Sequence, residues 1–116
     1  MPKQPPSLEK LQEISAEIPT PYQLYDAKGI RDNVRELQEA FAWNPGFMAT
    51  PNPTILRLLK DLGCGVDCAS YTELLLADAV GFRGEQIMLS SNVTPARTYQ
   101  LARKMGVLIN FDDISH

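Results

Sequence analysis

The strongest constraint on the fold is a regular alternation of short apolar segments and helical segments that end at a glycine. The apolar segments lie at residues 65–69, 87–91 and 107–111, about 20 residues apart, which is the length of one βα unit with short loops. Strands that are nearly all apolar, with polar residues at their carboxyl ends, are typical of a parallel sheet buried on both faces. The pattern therefore predicts an α/β fold built from consecutive βα units.

The pattern leaves two ways of closing such a fold open. With 116 residues, the chain is long enough for one small domain with a core. An open doubly wound sheet can be complete in a chain of this length, whereas a (β/α)8 barrel takes roughly 250 residues. The chain is therefore predicted to be either a complete open sheet or the first part of a barrel.

Before the repeating units, the sequence predicts a helix, a strand and a second helix. The first helix begins at Ser7, ends before Pro19 and carries one apolar stripe, which fits either its own domain or the groove of a partner. Residues 20–25 alternate and are rich in aromatics, which favours a short strand. Asp26 then caps the second helix. The face of that helix predicted to be buried consists of Ile30, Val34, Leu37 and Phe41.

Charge and hydropathy exclude several classes of partner. The net charge is -3, so no basic patch is available to neutralise phosphates, and we expect no nucleic-acid partner. No apolar run reaches the ~20 residues that a membrane span needs, so we expect no membrane partner. The amino-terminal residues lack the apolar core of a signal peptide, which favours a cytoplasmic location.

The two cysteines, Cys64 and Cys68, have a spacing that suits neither a metal site nor a disulfide. Zinc needs four suitable ligands, and the sole histidine of the sequence is His116. An extended strand holds the two cysteines roughly 13 Å apart at ~3.3 Å per residue, which is too far for a disulfide. We therefore expect no metal and interpret both residues as small buried thiols of a reducing compartment.

Polar residues gather at the predicted carboxyl ends of the strands, the edge where βα folds place functional residues. They are Asp67, Ser70, Ser90, Ser91, Asn92, Asn110, Asp112 and Asp113. Asp67 is the best candidate, because a carboxylate within an apolar strand needs a cation, N–H donors or a ligand. A functional role and a purely structural role for Asp67 both stay open. Ser70 and Glu73 have the spacing of a capping box that opens the next helix. Ser90 and Ser91 suit an ordinary turn, and the Asp112–Asp113 pair suits helix capping or solvent exposure.

The sequence contains none of the common catalytic motifs. It has no glycine-rich phosphate loop following a strand. It also has no nucleophile–histidine pair, because His116 stands alone at the end. The residues taken by themselves therefore specify an α/β domain and no reaction.

Four segments, in this order and spacing, resemble one known enzyme family. They are Thr-Pro-Tyr-Gln-Leu-Tyr-Asp at 20–26, Ala-Thr-Pro-Asn-Pro-Thr-Ile-Leu at 49–56, Gly-Cys-Gly-Val-Asp-Cys-Ala-Ser-Tyr-Thr-Glu-Leu at 63–74 and Leu-Ile-Asn-Phe-Asp-Asp at 108–113. They are similar to the N-terminal region of the pyridoxal-phosphate-dependent decarboxylases of the alanine-racemase fold, and most of all to diaminopimelate decarboxylases. Ornithine, arginine and carboxynorspermidine decarboxylases share the same layout.

The resemblance implies a fold and a division of the chain. The fold is the start of a (β/α)8 TIM barrel of the alanine racemase-like type, that is, a partial barrel made of the first βα units. Residues 1–19 are expected to form an N-terminal arm with an amphipathic helix, and residues 20–116 a partial PLP-binding barrel domain. In full-length relatives, the segment matching residues 20–25 belongs to a second, β-rich domain.

The resemblance also implies the reaction of a carboxy-lyase that acts on an amino acid. The substrate replaces a lysine on pyridoxal 5'-phosphate, carbon dioxide leaves, and the pyridinium ring acts as electron sink. Asp67 matches the family's second-strand aspartate, which lies near the cofactor lysine and can stabilise its protonated form. For diaminopimelate as substrate, the reaction belongs to lysine biosynthesis. We also expect a homo-oligomer.

The sequence departs from the family at the first barrel strand. In the family, that strand runs aromatic-Ala-Val-Lys-Ala into the Thr-Pro turn, and its lysine forms the Schiff base with the cofactor. Here residues 47–51 read Phe-Met-Ala-Thr-Pro, and no lysine lies between Lys28 and Lys60. The predicted helices place both of those lysines away from the strand-end rim. We therefore assign no catalytic residue and expect this chain alone to be inactive.

Three hypotheses remain open from the sequence. The chain is a fragment or truncated relative of a diaminopimelate-decarboxylase-like enzyme. Alternatively, it is a non-catalytic relative that associates with another chain through open sheet edges. The third possibility is a small ligand-binding α/β module that uses the rim around Asp67.

Overall fold

The computed structural model describes residues 4–42, 46–48, 50 and 52–115, with residues 46–48 defined by their backbone alone. The helices of this part are α1 (Leu8–Glu17), α2 (Ala27–Phe41), α3 (Pro53–Asp61), α4 (Tyr71–Val80) and α5 (Ala96–Met105). The strands are β1 (Gly46–Met48), β2 (Gly65–Cys68), β3 (Ile87–Ser90) and β4 (Leu108–Asn110). Gly84–Gln86 form a short 3-10 turn before β3.

The four strands form one parallel sheet in the order β1-β2-β3-β4. Each strand pairs in parallel with its neighbour in the chain, and α3, α4 and α5 are the crossovers between them. Pairing of consecutive strands in sequence order is the arrangement at the start of a (β/α)8 barrel. It is not the arrangement of a doubly wound sheet, in which the strand order reverses at a switch point. The predicted consecutive βα units are confirmed.

Helix caps fix the junctions between strands and helices. Asn52 Oδ1 accepts hydrogen bonds from the backbone N–H groups of Thr54 and Ile55 at 3.0 and 3.2 Å, which starts α3 at a proline. Helix α5 begins without a side-chain hydrogen bond from its cap residue. Pro95 is itself the cap residue, while the Thr94 hydroxyl donates to the Ser91 carbonyl at 2.9 Å and holds the preceding loop.

The main core lies between one face of the sheet and helices α3, α4 and α5. Its buried residues are Leu56, Val66, Cys68, Leu74, Ala77, Phe82, Ile87, Leu89 and Ala102. A smaller cluster of Val34, Leu59 and Cys64 joins α2 to α3. Both cysteines are buried and free, as the sequence predicted.

The opposite face of the sheet is open, which corrects the expectation that the sheet is buried on both faces. Met88 of β3 is 39% exposed and Leu108 of β4 is 42% exposed. Side chains of a strand alternate between the two faces, and all helices that pack on the sheet cover the face that carries Val66 and Leu89. Among the described residues, no element covers the face that carries Met88.

For the N-terminal part, the predicted cap of α1 is confirmed, and two other predictions are wrong. Helix α1 has its predicted cap, with the Ser7 hydroxyl accepting from the Lys10 N–H at 3.2 Å, yet it buries none of its residues. Residues 20–25 are not a strand, because no described strand pairs with them. Helix α2 buries only Val34, while Leu37 and Phe41 at its carboxyl end stay exposed.

Candidate functional site

The candidate site is built on Asp67, the third residue of β2. The two residues beside it, Val66 and Cys68, are buried toward the helices. Alternation along the strand therefore directs the Asp67 side chain to the open face. Its Oδ1 atom is fully shielded from solvent and has no hydrogen-bond partner among the described residues. A buried carboxylate oxygen without a donor is costly, so this atom points to a group that the described residues do not supply.

Four positions lie in one row across the sheet. Met48 of β1 is the register partner of Asp67, Asp67 is the partner of Met88, and Met88 is the partner of Leu108. Register partners of a parallel sheet point to the same face, which makes the exposed Met88 and Leu108 the apolar neighbours of the carboxylate. Asp67, Met88 and Leu108 thus form a mainly apolar surface that contains one acid.

The turn after β2 is held by two hydrogen bonds from backbone N–H groups to side chains. The Ser70 hydroxyl accepts from the Glu73 N–H at 3.2 Å, and Glu73 Oε2 accepts from the Ala69 N–H. The Ser70 bond caps α4, and the Glu73 bond fixes the backbone two residues after Asp67. The sequence predicted a capping box from Ser70 and Glu73, and the structure places its second bond on Ala69 instead of on the cap residue.

Burial, together with the nearby negative charges of Glu73 and Asp67, raises the pKa of the Cys68 thiol to about 12. Burial also raises the pKa of Cys64. Neither cysteine is therefore a thiolate near neutral pH, and both are poor nucleophiles and poor metal ligands in this state.

The remaining polar residues of the edge have local structural roles. Asp113 Oδ1 accepts from the backbone N–H and the hydroxyl of Ser115 at 2.7 and 2.6 Å. Asp112 and Asp113 are both exposed, which is one of the two roles that the sequence left open for the pair. Beyond β3, the Ser91 hydroxyl donates to the Asn92 carbonyl at 3.4 Å. The structure brings these groups to the same edge as Asp67 without a contact to its carboxylate.

Three described lysines, on helices α2, α3 and α5, lie away from the carboxyl edge that carries Asp67. Lys28 is highly exposed and its Nζ pairs with Asp32 at 2.6 Å on the outer side of α2. Lys60 is the penultimate residue of α3 and lies beside Gly81, at the amino edge of the sheet. Lys104 is in the last turn of α5, at that same edge. Among the described residues, no lysine reaches the carboxyl edge, and the register partner of Asp67 is a methionine.

The described residues contain neither a metal-binding cluster nor a membrane-spanning helix. No group of three or more His, Cys, Asp or Glu side chains is placed to hold a metal ion. The helices of this part are too short and too polar to cross a membrane. His116 lies outside the described residues.

The fold defines a class of protein: consecutive parallel βα units with an acid at the carboxyl edge, as in the first strands of a (β/α)8 barrel. Comparison with known proteins makes the assignment specific. Residues 27–116 match the family model described as pyridoxal-dependent decarboxylase, pyridoxal binding domain. The chain belongs to this family, and pyridoxal phosphate is the family's cofactor. Sequence analysis had predicted both the family and the cofactor.

Two curated relatives illustrate the match. Protein TabA of Pseudomonas amygdali pv. tabaci is 40% identical over 110 residues, which cover 90% of this chain and 26% of the relative. The diaminopimelate decarboxylase of Deinococcus radiodurans is 33% identical over 109 residues, covering 91% of this chain and 29% of the relative. The chain thus spans less than a third of the length of either relative.

Solved structures confirm the alanine-racemase type of barrel. Lysine decarboxylase from Selenomonas ruminantium superposes with a TM-score of 0.89 at 28% identity, covering 99% of this chain and 32% of that chain. A diaminopimelate decarboxylase from M. jannaschii in complex with L-lysine gives a TM-score of 0.83 at 25% identity, covering 89% and 26% of the two chains. The predicted partial barrel is confirmed.

Proposed function

We propose that this chain is the N-terminal portion of the cofactor-binding barrel of an amino-acid decarboxylase of the diaminopimelate type, and that it does not decarboxylate by itself. The proposal is supported by its relatives, several of which are diaminopimelate decarboxylases. In such an enzyme, the substrate is an amino acid and the pathway is lysine biosynthesis. The buried free thiols suit a cytoplasmic location.

The observation that carries the proposal is the pairing of Asp67 with position 48. The carboxylate has a buried oxygen without a hydrogen-bond partner among the described residues, on the face that would line a closed barrel. An ammonium or protonated imine beside it would satisfy that oxygen by a charge-assisted hydrogen bond. We therefore assign Asp67 to the cofactor site, as the residue that stabilises a cation there.

The residues present do not fit a covalently held cofactor. Position 48 carries methionine, and the described lysines lie on helices away from the carboxyl edge. The contribution of this chain is thus limited to the carboxylate and to the sheet that positions it. No catalytic residue is assigned, and no reaction step is derived.

The division of the chain is part of the proposal. Residues 1–19 are taken as an arm with one amphipathic helix, and residues 20–116 as the partial barrel domain. Two observations support the division, namely that α1 buries none of its residues and that the family match begins at residue 27.

The test is a decarboxylation assay with carboxyl-labelled substrates. The 116-residue chain is incubated with pyridoxal phosphate and with diaminopimelate, lysine or ornithine, and released labelled carbon dioxide is counted. A full-length diaminopimelate decarboxylase serves as the positive control. We expect release from this chain at the rate of free pyridoxal phosphate alone. Saturable release above that rate would overturn the proposal of inactivity.

A further inference from the structure

The strand neighbours of Asp67 do not supply the cation that its carboxylate needs. On the open face, these neighbours are position 48 of β1 and Met88 of β3, and both are methionines, which carry no charge. The Oδ1 atom of Asp67 is shielded from solvent and has no hydrogen-bond partner among the described residues. Since position 48 lacks the amine of a cofactor lysine, a donor from elsewhere is needed to satisfy this oxygen.

The surroundings of Asp67 are set by the middle of the described sheet. Strands β1 and β3 pair directly with β2, so further strands of a barrel would add to the outer edges and would not change the neighbours of this acid. The carboxyl edge of a barrel is the end at which ligands bind. Met88 is 39% exposed on this face, and methionine has a flexible side chain, so a small molecule has access to the row.

The geometry of the carboxylate favours an ammonium over other cations. Within the described residues, no group of three or more His, Cys, Asp or Glu side chains is placed to hold a metal ion, whereas calcium takes six or more oxygen ligands. A guanidinium pairs best with both oxygens of a carboxylate at once, but the buried atom without a partner is Oδ1 alone. An ammonium is a compact point charge with three donors, one of which satisfies a single oxygen.

The remainder of the row indicates what the ammonium is attached to. Met88 and Leu108, at 39% and 42% exposure, continue from Asp67 across the open face. At about 4.8 Å per strand, Leu108 lies roughly 10 Å from the acid. This apolar stretch suits an unbranched hydrocarbon chain, since burying its methylenes is favourable.

A carboxylate on the ligand would be unfavourable at this position. An α-amino acid carries its carboxylate one carbon from the amine, which would place it beside Asp67, where like charges repel. Among the described residues, the lysines of α2, α3 and α5 lie away from this edge. Arg97, in the first turn of α5, lies over the ring of Tyr71 on α4, 5.3 Å from its centroid, and is therefore in the helix layer. The row thus favours an amine over an amino acid.

We propose that Asp67, Met88 and Leu108 form a non-covalent site for a primary alkylammonium ion, that is, an amine with an unbranched apolar chain and no carboxylate. The ammonium donates a hydrogen bond to Asp67 Oδ1, and the chain lies along Met88 and Leu108. The inference rests on the assignment of Asp67 as a cation-binding residue under the proposed function, and it names the cation. No covalent bond forms or breaks, because the ligand is held by its charge and its apolar chain alone.

The test is a titration of the isotope-labelled 116-residue chain with pentylammonium chloride, followed by amide NMR without pyridoxal phosphate. We expect saturable shifts at residues 66–69 and 87–90, with a Kd of about 1 mM for a ligand of so few atoms. Butylammonium should bind up to about fourfold more weakly, because it has one methylene fewer to bury. Shifts that do not saturate, or that are confined to the helices, would overturn the inference.

Two matched probes separate the contributions of the charge and the chain. 1-Pentanol has the same chain without the charge, and 2-aminohexanoate is pentylamine with a carboxylate added beside the amine. We expect each to bind at least about tenfold more weakly than pentylammonium. Equal binding of 1-pentanol would show that the row is merely apolar, and equal binding of 2-aminohexanoate would refute the preference for an amine.

Three variants of the chain locate the charge. Asp67→Asn should abolish saturable binding of pentylammonium, while Glu85→Gln, at an exposed carboxylate before β3, should leave its Kd unchanged. Met88→Lys should also abolish binding with Asp67 intact, because the new ammonium in the adjacent register position satisfies the acid from within the chain. The amide spectra report whether each variant is folded. A folded Asp67→Asn or Met88→Lys variant that binds pentylammonium like the parent would overturn the inference.

The titration and the decarboxylation assay fail independently. Amine binding is measured without cofactor and without release of carbon dioxide, so a negative titration leaves the proposed inactivity of the chain untouched. Conversely, saturable decarboxylation would overturn the proposed function, whereas amine binding that depends on Asp67 would still be measured directly.

Discussion

Asp67 shows how one acid can be shielded from water and still face the open side of a sheet. Its Oδ1 atom is buried without a hydrogen-bond partner among the described residues, while its register neighbour Met88 is exposed. An unpartnered carboxylate oxygen costs stability in proportion to its desolvation. A protein retains such a group where a ligand or partner satisfies it.

Replacement of this acid should therefore stabilise the chain. We expect Asp67→Asn to raise the free energy of unfolding by about 1 kcal/mol, because the charge is removed at constant shape. Urea denaturation measures the change, and Glu85→Gln, at an exposed carboxylate, is the control with no expected effect. Destabilisation by Asp67→Asn would mean that the carboxylate already has a strong partner.

The raised pKa of the Cys68 thiol should make the chain less stable at high pH. Its pKa is about 12 in the folded chain and 9.0 in an exposed thiol. Between these values the unfolded chain releases a proton that the folded chain keeps. The free energy of unfolding should thus be unaffected below pH 9 and fall above it, by up to ~1.4 kcal/mol per pH unit. Urea titrations from pH 8 to 10.5 measure the slope, and a Cys68→Ala variant with the same slope would contradict this assignment.

The sequence identified Asp67 as a candidate but did not predict which residues lie beside it. A carboxylate within an apolar strand is visible in the sequence, because it breaks a run of buried residues. Its pairing with position 48 and Met88 is a matter of strand register, which depends on tertiary packing. The spacing of Ser70 and Glu73 predicted the cap of α4, but not the bond of Glu73 to Ala69 or the effect of its charge on the pKa of Cys68.

At the scale of elements, the junction between β2 and α4 is the best defined. Ser70 and Glu73 each accept a hydrogen bond from a backbone N–H group, directly after the strand that carries Asp67. We expect Ser70→Ala to cost about 1 kcal/mol of stability, measured by urea denaturation. Thr72→Ala in the same turn, at an exposed residue, should cost less than half as much. Equal losses would show that the cap contributes nothing specific.

A clear apolar stripe in the sequence does not mean that the helix is buried in the fold. Helix α1 has an apolar stripe in the sequence, yet all its residues stay outside the core. Periodicity identifies a helix and its apolar face, but it cannot say whether a surface exists to receive that face. The same reason applies to residues 20–25, where an alternating pattern has no described strand to pair with.

This difference between α1 and the core helices is measurable. Leu8 of α1 is 70% exposed, whereas Leu56 of α3 is 1% exposed. We expect Leu8→Ala to change the free energy of unfolding by less than ~0.5 kcal/mol and Leu56→Ala to lower it by about 2–5 kcal/mol. Thermal or urea unfolding gives both values. A loss above 1 kcal/mol for Leu8→Ala would mean that α1 packs against the domain or a second copy.

At the scale of the whole molecule, the sequence predicted the parallel βα units but not how the sheet closes. Spacing and apolar pattern are properties of each unit and are therefore local. Closure depends on curvature and on contacts between the first and last strands, which no local pattern records. The resemblance of residues 63–74 and 108–113 to a known family pointed to a barrel, and the strand order β1-β2-β3-β4 agrees with it.

The central claim is that Asp67 stands at a pyridoxal site without a lysine to hold the cofactor. The most direct measurement is reductive trapping with pyridoxal phosphate and borohydride, followed by peptide mapping. The parent chain should carry no saturable label, whereas the Met48→Lys variant should be labelled at position 48. The double variant Met48→Lys, Asp67→Asn should be labelled more weakly than Met48→Lys. Phe47→Lys is the matched control, because adjacent strand residues face opposite sides. Saturable labelling of one lysine in the parent chain, lost on Asp67→Asn, would contradict the claim.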